Sequence, residues 1–347
     1  MKQIEYVGVG ALSRLAEIIE ELAPKKAFLV TGKVSYEASG AAQKVGEALV
    51  GVDVLHYTDF GTLPLEEDVI RAVEAYNAFA PDVVIAVGGG HVIDMAKAIN
   101  FLTGKKPVVA IPTTAGTGSE STHFAVVYRG GIKHSLASEE MLPEFAIVDP
   151  ELAMSLSKEA ALPSALDALC QAIESFWSNK ATAESRGYAR KALEAIWANI
   201  IPALEQRDPA AIAALCIGAH KAGKAINISE TTACHAFSYG LTYSFGVPHG
   251  IAAAIFLPGV YRYNCTDEAA APVFAELNAL LGCRDSEEAA TALQGLLTRF
   301  GVTALSRLGV NHSDVALLAA VVNSERLGNN PRRMTGGDVT RIINDIV

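Results

Sequence analysis

An α/β layered domain followed by an all-helical domain is the fold class that this 347-residue sequence predicts. Three observations lead there. Short β-branched apolar runs alternate with helix-patterned segments through the first 150 residues, as in a parallel sheet covered on both faces. After Pro150 the runs stop, and Ala- and Leu-rich helical segments continue to Val347. The length also predicts about two domains at the usual ~150 residues each.

The elements follow in order. AFLVT (27–31), VDVLHY (52–57), DVVIAV (82–87), PVVAI (107–111) and FAIVD (145–149) are short apolar runs bounded by Gly, Pro or Asp, and read as buried strands. ALSRLAEIIEEL, EASGAAQKVGEAL and LEEDVIRAVEAYNAF repeat apolar residues at helical spacing between them. AVVYRGGIKHSL (125–136) reads as a hairpin with Gly130-Gly131 at its turn. Beyond 150, ALDALCQAIESFWS, ESRGYARKALEAIWANII and PAAIAALCIGAHKAGKAI are the clearest helices.

Half the residues are hydrophobic and 19% are charged, which supplies a sizeable core and excludes a disordered chain. A formal charge of -10 argues against a nucleic-acid protein, because phosphate backbones need a basic face. No apolar run approaches the ~20 residues of a membrane span, and MKQIEYVGVG lacks an apolar signal core. The five cysteines are odd in number and form no CxxC pair, which suits reduced thiols. A cytoplasmic location is expected.

IAVGGGHVIDMAKAI joins a buried strand to a helix through Gly88, Gly89 and Gly90, with Asp94 in the first turns. Glycine lets backbone N–H groups approach a phosphate, and the helix N-terminus favours negative charge. The spacing is not GxGxxG, and a glycine turn without a ligand is the plainer alternative. The next strand ends in VVAIPTTAGTGSES, where Thr113, Thr114, Thr117, Ser119 and Ser121 supply compact donors. Two such loops after neighbouring strands define a crevice at the strand C-termini, where open α/β sheets bind ligands.

Further on, Asp167 and Gln171 stand at i, i+4 on a helix whose neighbours Leu166, Leu169, Ala172 and Ile173 are apolar. A carboxylate buried there needs a counter-charge. His235 and His249 lie fourteen residues apart, each beside a helix boundary, with Val247-Pro248 as the break before His249. Neutral imidazole suits a borderline divalent ion, so Asp167, His235 and His249 form a candidate metal set. Two unrelated core histidines are the alternative.

With these residues in place, the chain resembles the iron-containing (group III) alcohol dehydrogenases of the dehydroquinate-synthase-like fold, over essentially its whole length. The resemblance rests on GVGAL (8–12), GGGHVIDMAKAI (88–99), IPTTAGTGSE (111–120), LPEFAIVDPEL (142–152), the DAL of 167–169 and the stretch from His235 to His249 ending PHG. It implies a nucleotide-binding α/β domain over 1–150, a helical metal- and substrate-binding domain over 151–347, and a divalent Fe²⁺ or Zn²⁺ in the cleft. It also implies oxidation of alcohols or reduction of aldehydes with NAD(P).

Two positions depart from the family pattern. The usual set is Asp with three His, but the position matching the first His holds Gln171, and many members have a second His where this chain has Tyr239. Gln171 is expected at or near the fourth ligand position, and the phenol of Tyr239 in a proton relay or as an ordinary core tyrosine. DALCQAIESFWS, STHFAVVYRGGIKHSLASEEMLPE and AGKAINISETTACHAFSYGLT look like the phosphonoacetaldehyde reductase (hydroxyethylphosphonate dehydrogenase) branch. That branch implies reduction of phosphonoacetaldehyde to 2-hydroxyethylphosphonate. It also implies cationic anchors, for which Arg129, Lys133 and Lys224 are candidates, Lys224 being equally able to reach solvent. Lys133 matches a position used near the cofactor. His91 replaces the usual Ser after the glycines, and it and His123 are either phosphate contacts or surface histidines.

NAD-preferring members carry an Asp matching Gly32, so Gly32, Lys33 and Ser35 favour NADP(H) over NAD(H). Other readings remain open at this stage. They are a different member of the family acting on a small alcohol, aldehyde or polyol phosphate, a lyase of the same fold, and a metal-free nucleotide-binding protein without catalysis. The expected partner is a small molecule, with a homodimer as the assembly entertained.

Overall fold

The computed structural model describes residues 3–130 and 132–347, leaving aside the side chains of Ile132 and Lys133. Its contacts divide it into two compact units. One is the chain up to Ala161 with Asn199–Gly223, and the other is Leu162–Ala198 with Lys224–Val347.

The strands of the first unit are β1 (Ile4–Val7), β2 (Lys26–Thr31), β3 (Asp53–Tyr57), β4 (Val83–Gly88), β5 (Val108–Pro112), β6 (Phe124–Arg129), β7 (Ile132–Ala137) and β8 (Phe145–Val148). Between them run α1 (Arg14–Leu22), α2 (Ser35–Ala38), α3 (Ala41–Ala48), α4 (Glu66–Phe79) and α5 (Gly90–Thr103). Six strands form a parallel sheet in the order β1-β8-β5-β4-β2-β3. Successive side chains of a strand point to opposite faces, which builds two cores from one sheet. Phe28, Val30, Val84, Ala86, Val108 and Ala110 pack on α4 and α5. Ala27, Leu29, Val83, Ile85, Val87, Val109 and Ile111 pack on α1 and α3. Each Val, Leu, Ile or Phe among them contributes about 1.5–3 kcal/mol on burial, and each Ala less.

The strand order reverses at one place. The chain leaves β2 toward β3, then crosses back so that β4 lies on the other side of β2. Thr31 pairs with Val87, and Gly88 pairs with Pro112. The ends of β2, β4 and β5 therefore lie side by side at this switch point, where open α/β sheets leave a crevice. The hairpin β6–β7 pairs from Phe124↔Ala137 to Arg129↔Ile132, with Gly130 in the left-handed region at φ 55. Gly131, the second turn glycine, lies outside the described residues.

A strand that sequence reading passed over, β1, pairs with β8 in parallel from Ile4↔Phe145 to Val7↔Val148. Asp149, just past β8, fastens the GVGAL turn that follows β1: Oδ1 accepts from Gly10 N at 3.1 Å and Oδ2 from Leu12 N at 3.0 Å.

Past Pro150 the described residues contain no strand, and the long helices are α6 (Lys158–Trp177), α7 (Ala183–Ile201) and α8 (Pro209–Ser229). The short α9 (Ala233–Phe245) ends at Gly246, a left-handed cap at φ 66, and α10 (His249–Ala254) begins one residue after Pro248. No described helix is long and apolar enough to cross a membrane. The unit boundaries fall inside α6, α7 and α8, so Asn199–Gly223 belongs with the sheet although it lies far beyond residue 150.

Candidate metal and cofactor sites

Helix α6 buries Asp167, Gln171 and Glu174 along one face, at spacings of four and three residues. Three buried polar groups on an apolar helix need partners, and α9 and α10 bring two imidazoles to them. His235 Nε2 lies 3.1 Å from Asp167 Oδ1, and His249 Nε2 lies 3.9 Å from the same oxygen. One donor atom from each of Asp167, His235 and His249 fits within a span of 4.8 Å. Among the described residues this is the one grouping of three His, Cys, Asp or Glu donors able to hold an ion.

Close approach makes the grouping feasible. A Cβ built on Gly250 would stand 1.8 Å from Pro163 O and 2.9 Å from Asp167 Cβ. Only glycine therefore lets the start of α10 lie against α6, which gives the PHG sequence a physical reason.

Behind His235 stands Glu174, a residue that sequence reading did not single out. Its Oε2 accepts the Nδ1–H of His235 in a short hydrogen bond. Its Oε1 accepts from Thr232 Oγ1 at 2.7 Å, Cys234 N at 2.8 Å and Thr232 N at 3.2 Å. This carboxylate keeps a proton on His235 Nδ1, which leaves Nε2, the atom facing Asp167, as the one that could coordinate an ion. Burial alone would lower the His235 pKa, but the charge of Glu174 and the hydrogen bonds to Asp167 and Glu174 outweigh it. Without an ion the imidazole is pushed up to about 10. Ser238 donates to His235 O at 2.8 Å and lies 3.4 Å from His249 Nδ1, which turns His249 Nε2 toward Asp167.

The donor set fits a divalent ion. Two ligands about 2.1 Å from a tetrahedral ion stand roughly 3.4 Å apart, and the observed 3.1 and 3.9 Å bracket that value. One carboxylate and two imidazoles suit Zn²⁺ or Fe²⁺. Gln171 is buried one turn after Asp167 on the same helix. Tyr239 stacks on His249 with ring centroids 6.0 Å apart and planes within 19°. Lys224 places its ammonium 4.9 Å from the centre of the Tyr188 ring, an aromatic neighbour not anticipated from sequence. Cys170 and Cys234 are buried beside these residues, and burial pushes both thiols well up, so they stay protonated.

The phosphate-loop residues gather in the first unit. Thr113 N donates to Gly88 O at 2.9 Å, so the loops after β4 and β5 run together. A Cβ on Gly90 would stand 2.3 Å from Thr117 Oγ1, which demands glycine there. Thr114 lies in contact range of Gly89, 3.6 Å from where a Cβ would be. Among the described residues the buried Thr113 Oγ1 has no hydrogen-bond partner, which leaves it able to meet a polar ligand. His91, at the start of α5, has its pKa lowered by burial against the opposing charge of Asp94, so it is a neutral donor or acceptor. Gly32 directly follows β2 with Ser35 beside it: a Cβ on Gly32 would stand 2.5 Å from Ser35 Oγ. Lys33 is exposed next to them, and the Lys133 side chain lies outside the described residues.

Two of the expected cofactor residues are engaged inside the fold. Asp94 accepts from Ser119 Oγ in a short hydrogen bond and from Val126 N at 3.0 Å. Ser119 also receives Lys97 Nζ, which is wholly buried, at 2.9 Å on its carbonyl and 3.2 Å on its hydroxyl. Burial pushes Lys97 down to about 8 against the pull of Asp94 and Glu120. These contacts shape the loop from behind. Arg129 is exposed and pairs with Glu66, and His123 packs edge-on against Phe124 at 5.7 Å.

A parallel sheet with small-residue loops at its switch point, and an Asp–His–His set backed by a carboxylate, are features that a metal-assisted, nucleotide-linked class of enzyme would require. Sequence comparison names the family. The iron-containing alcohol dehydrogenase model matches residues 4–150, and the C-terminal model of the Fe-containing alcohol dehydrogenase family matches residues 161–347. The chain belongs to the iron-containing alcohol dehydrogenase family, and so to the NAD(P)-linked oxidoreductases.

Individual relatives narrow the comparison. The chain is 32% identical to the phosphonoacetaldehyde reductase of Streptomyces viridochromogenes, over 95% of each protein. It is similar to the crystal structure of sulfoacetaldehyde reductase from Bifidobacterium kashiwanohense in complex with NAD⁺ (29% identity, TM-score 0.91, 99% and 96% of the two chains). It is also similar to that of a 1,3-propanediol oxidoreductase (26% identity, TM-score 0.93, 99% and 98% covered).

Proposed function

We propose that this protein is a metal-dependent, NAD(P)H-linked aldehyde reductase whose substrate is a small aldehyde bearing an anionic oxo-acid group. Phosphonoacetaldehyde, reduced to 2-hydroxyethylphosphonate, is the substrate we favour. The observation that carries the reading is the Asp167–His235–His249 set with Glu174 behind His235.

Asp167, His235 and His249 would hold the ion, with Gln171 at or near a fourth position. When bound, the ion acts as a Lewis acid on the aldehyde oxygen and the nicotinamide supplies hydride to the carbonyl carbon. Glu174 holds the Nδ1 proton of His235 so that Nε2 stays available for coordination. Ser238 orients His249. Tyr239, stacked on His249, offers a phenol to deliver the proton that completes the alcohol. Gly88, Gly89, Gly90, Thr113, Thr114 and Thr117 would take the cofactor phosphates, with His91 beside them.

Lys224 supports the anionic substrate. Its ammonium rests on an aromatic face, and the phosphonoacetaldehyde and sulfoacetaldehyde reductases both carry anionic aldehydes in their names. The test is NADPH and NADH oxidation by purified protein of known metal content, with phosphonoacetaldehyde, sulfoacetaldehyde and a neutral aldehyde of similar size. Lys224→Ala should raise KM for the anionic aldehydes tens-fold, the scale of a desolvated ion pair at roughly 2–5 kcal/mol, and leave the neutral one nearly unchanged. Equal effects on all three would make Lys224 structural. Wild-type preference for the neutral aldehyde would overturn the anionic assignment.

A further inference from the structure

The loop after β5 is held from behind by α8. Gly118 sits at φ 61 with its Cα against Gly223: a Cβ on Gly118 would stand 2.4 Å from Gly223 Cα, and one on Gly223 would stand 2.7 Å from Gly118 O. Three residues earlier on α8, on the same face, His220 is completely buried. Its Nδ1 lies 2.7 Å from Ser121 Oγ and 3.0 Å from Glu120 Oε1, while its Nε2 lies 3.1 Å from Glu5 Oε2 on β1.

An imidazole between two carboxylates satisfies both only when both nitrogens carry protons. Burial opposes that charge, but the hydrogen bonds and charges of Glu120 and Glu5 outweigh it and raise the pKa. Lys221 adds a second cation 3.9 Å from the same Glu5 oxygen. Cys216, one turn before His220, is pushed up to about 12 by burial and stays neutral. Neither His220 nor Glu5 takes any part in the chemistry described above, so an imidazole held between the buried Glu120 and the half-buried Glu5 calls for a role of its own.

We infer that His220, clamped as a cation between Glu5 and Glu120, is a positioning residue for cofactor binding: it fixes the far end of the loop that presents Thr113, Thr114 and Thr117. The inference rests on the reading that this loop takes the nucleotide phosphates. Lys97 and Asp94 brace the same loop from α5, and His220 with Gly223 braces it from α8. With both sides fixed, the threonines are set before the ligand arrives, and binding does not have to order them.

The experiment uses full-length metal-loaded protein, with His220→Gln, Glu5→Gln and the double variant. Hydrogen exchange of residues 113–122 is read without nucleotide, and NADPH affinity is read by nicotinamide fluorescence. His220→Gln should speed exchange in this loop and weaken NADPH binding roughly tenfold, the scale of one charge-assisted hydrogen bond. kcat at saturating NADPH should stay within about twofold. Glu5→Gln should act in the same direction, and the double variant should fall short of the sum, since the two residues share one interaction. Unchanged loop exchange in both single variants overturns the inference whatever the nucleotide does. Faster exchange with unaltered NADPH affinity overturns the link to the cofactor. If the wild type binds neither nucleotide, the phosphate-loop reading fails, and loop exchange alone then decides whether His220 fixes the loop. Should His220→Gln not fold, Glu5→Gln carries the same comparison.

Discussion

Glu174 Oε2 accepts the Nδ1–H of His235, and the other oxygen of Glu174 is closed by three donors from Thr232 and Cys234. The carboxylate is thus locked in place before it orients the imidazole. A ligand whose far nitrogen is anchored this way binds its ion more tightly, because tautomer and ring angle are already set. Glu174→Gln should keep the fold and lower metal affinity about 10–100-fold, as outer carboxylates of this kind do. Competition with a chelator of known affinity reads the change. An unaltered affinity would mean that Glu174 only satisfies the start of α9.

Protons should compete with the ion at His235. In metal-free protein its pKa is about 10, above the ordinary 6.5, with Nε2 protonated toward Asp167. The sign follows from the raised value: this proton stabilises the apo fold fully below pH 6.5, and that contribution is lost as pH rises through about 10. Metal binding must displace the proton, so apparent affinity should rise with pH up to about 10. Calorimetry at pH 8 in buffers of different ionisation enthalpy should show a proton released from His235 for each ion bound. No release from the wild type, or the same release from His235→Asn, contradicts the assignment.

Gly250 tests how the site is assembled. A Cβ there meets Pro163 O at 1.8 Å, and backbone cannot rotate aside as a side chain would. Gly250→Ala should therefore cost roughly 1–3 kcal/mol of stability, the usual range for forcing extra volume into a packed site. It should also reduce bound metal, because α10 carries His249 and must back away from Asp167. Chemical unfolding together with metal analysis checks both. A stable variant with full metal would show that α10 tolerates the shift.

Much of this was readable from residue types alone, and the rest fails for physical reasons. Strands β2, β4, β5 and β8 are nearly continuous apolar runs because both of their faces are buried. Strand β1 is an edge strand with Ile4 and Val7 exposed and Glu5 pointing to His220, so it lacks that signature. Helical periodicity tells which face is buried but not in which core, so Asn199–Gly223 could not be assigned to the sheet unit from pattern. Asp167, His235 and His249 stood out because buried acid and imidazole need each other. Glu174 carried a signal that went unused: it continues the Asp167–Gln171 face one turn further on an apolar helix. The pairing of His220 with Glu120, 100 residues apart, leaves no local trace.

The Gln171 position separates a ligand from a bystander. It is buried one turn after Asp167 on the same helix, and we propose that its side chain reaches the ion held by Asp167, His235 and His249. Imidazole is the better ligand for Zn²⁺ or Fe²⁺ than an amide oxygen. Gln171→His should therefore fold, and should tighten metal binding in the same chelator competition. Loss of metal would place residue 171 off the coordinating face.

We propose that cofactor choice turns on Gly32, which directly follows β2 at the switch point beside β4. An acid at this place would accept hydrogen bonds from a ribose 2′-OH and repel a 2′-phosphate, so glycine here, with Lys33 and Ser35 following, would favour NADPH. Gly32→Asp should cost NADPH at least tenfold in kcat/KM, about 1.4 kcal/mol, and leave NADH little changed. The structure adds a steric condition. The new Cβ would stand 2.5 Å from Ser35 Oγ, so the serine hydroxyl must rotate away before the carboxylate can settle. Ser35→Ala combined with Gly32→Asp removes that conflict while keeping the charge. If repulsion governs, the double variant keeps the loss of NADPH efficiency. If crowding governs, the double variant recovers NADPH. Steady-state kinetics with both cofactors decides, and a wild-type preference for NADH would remove the basis for the assignment.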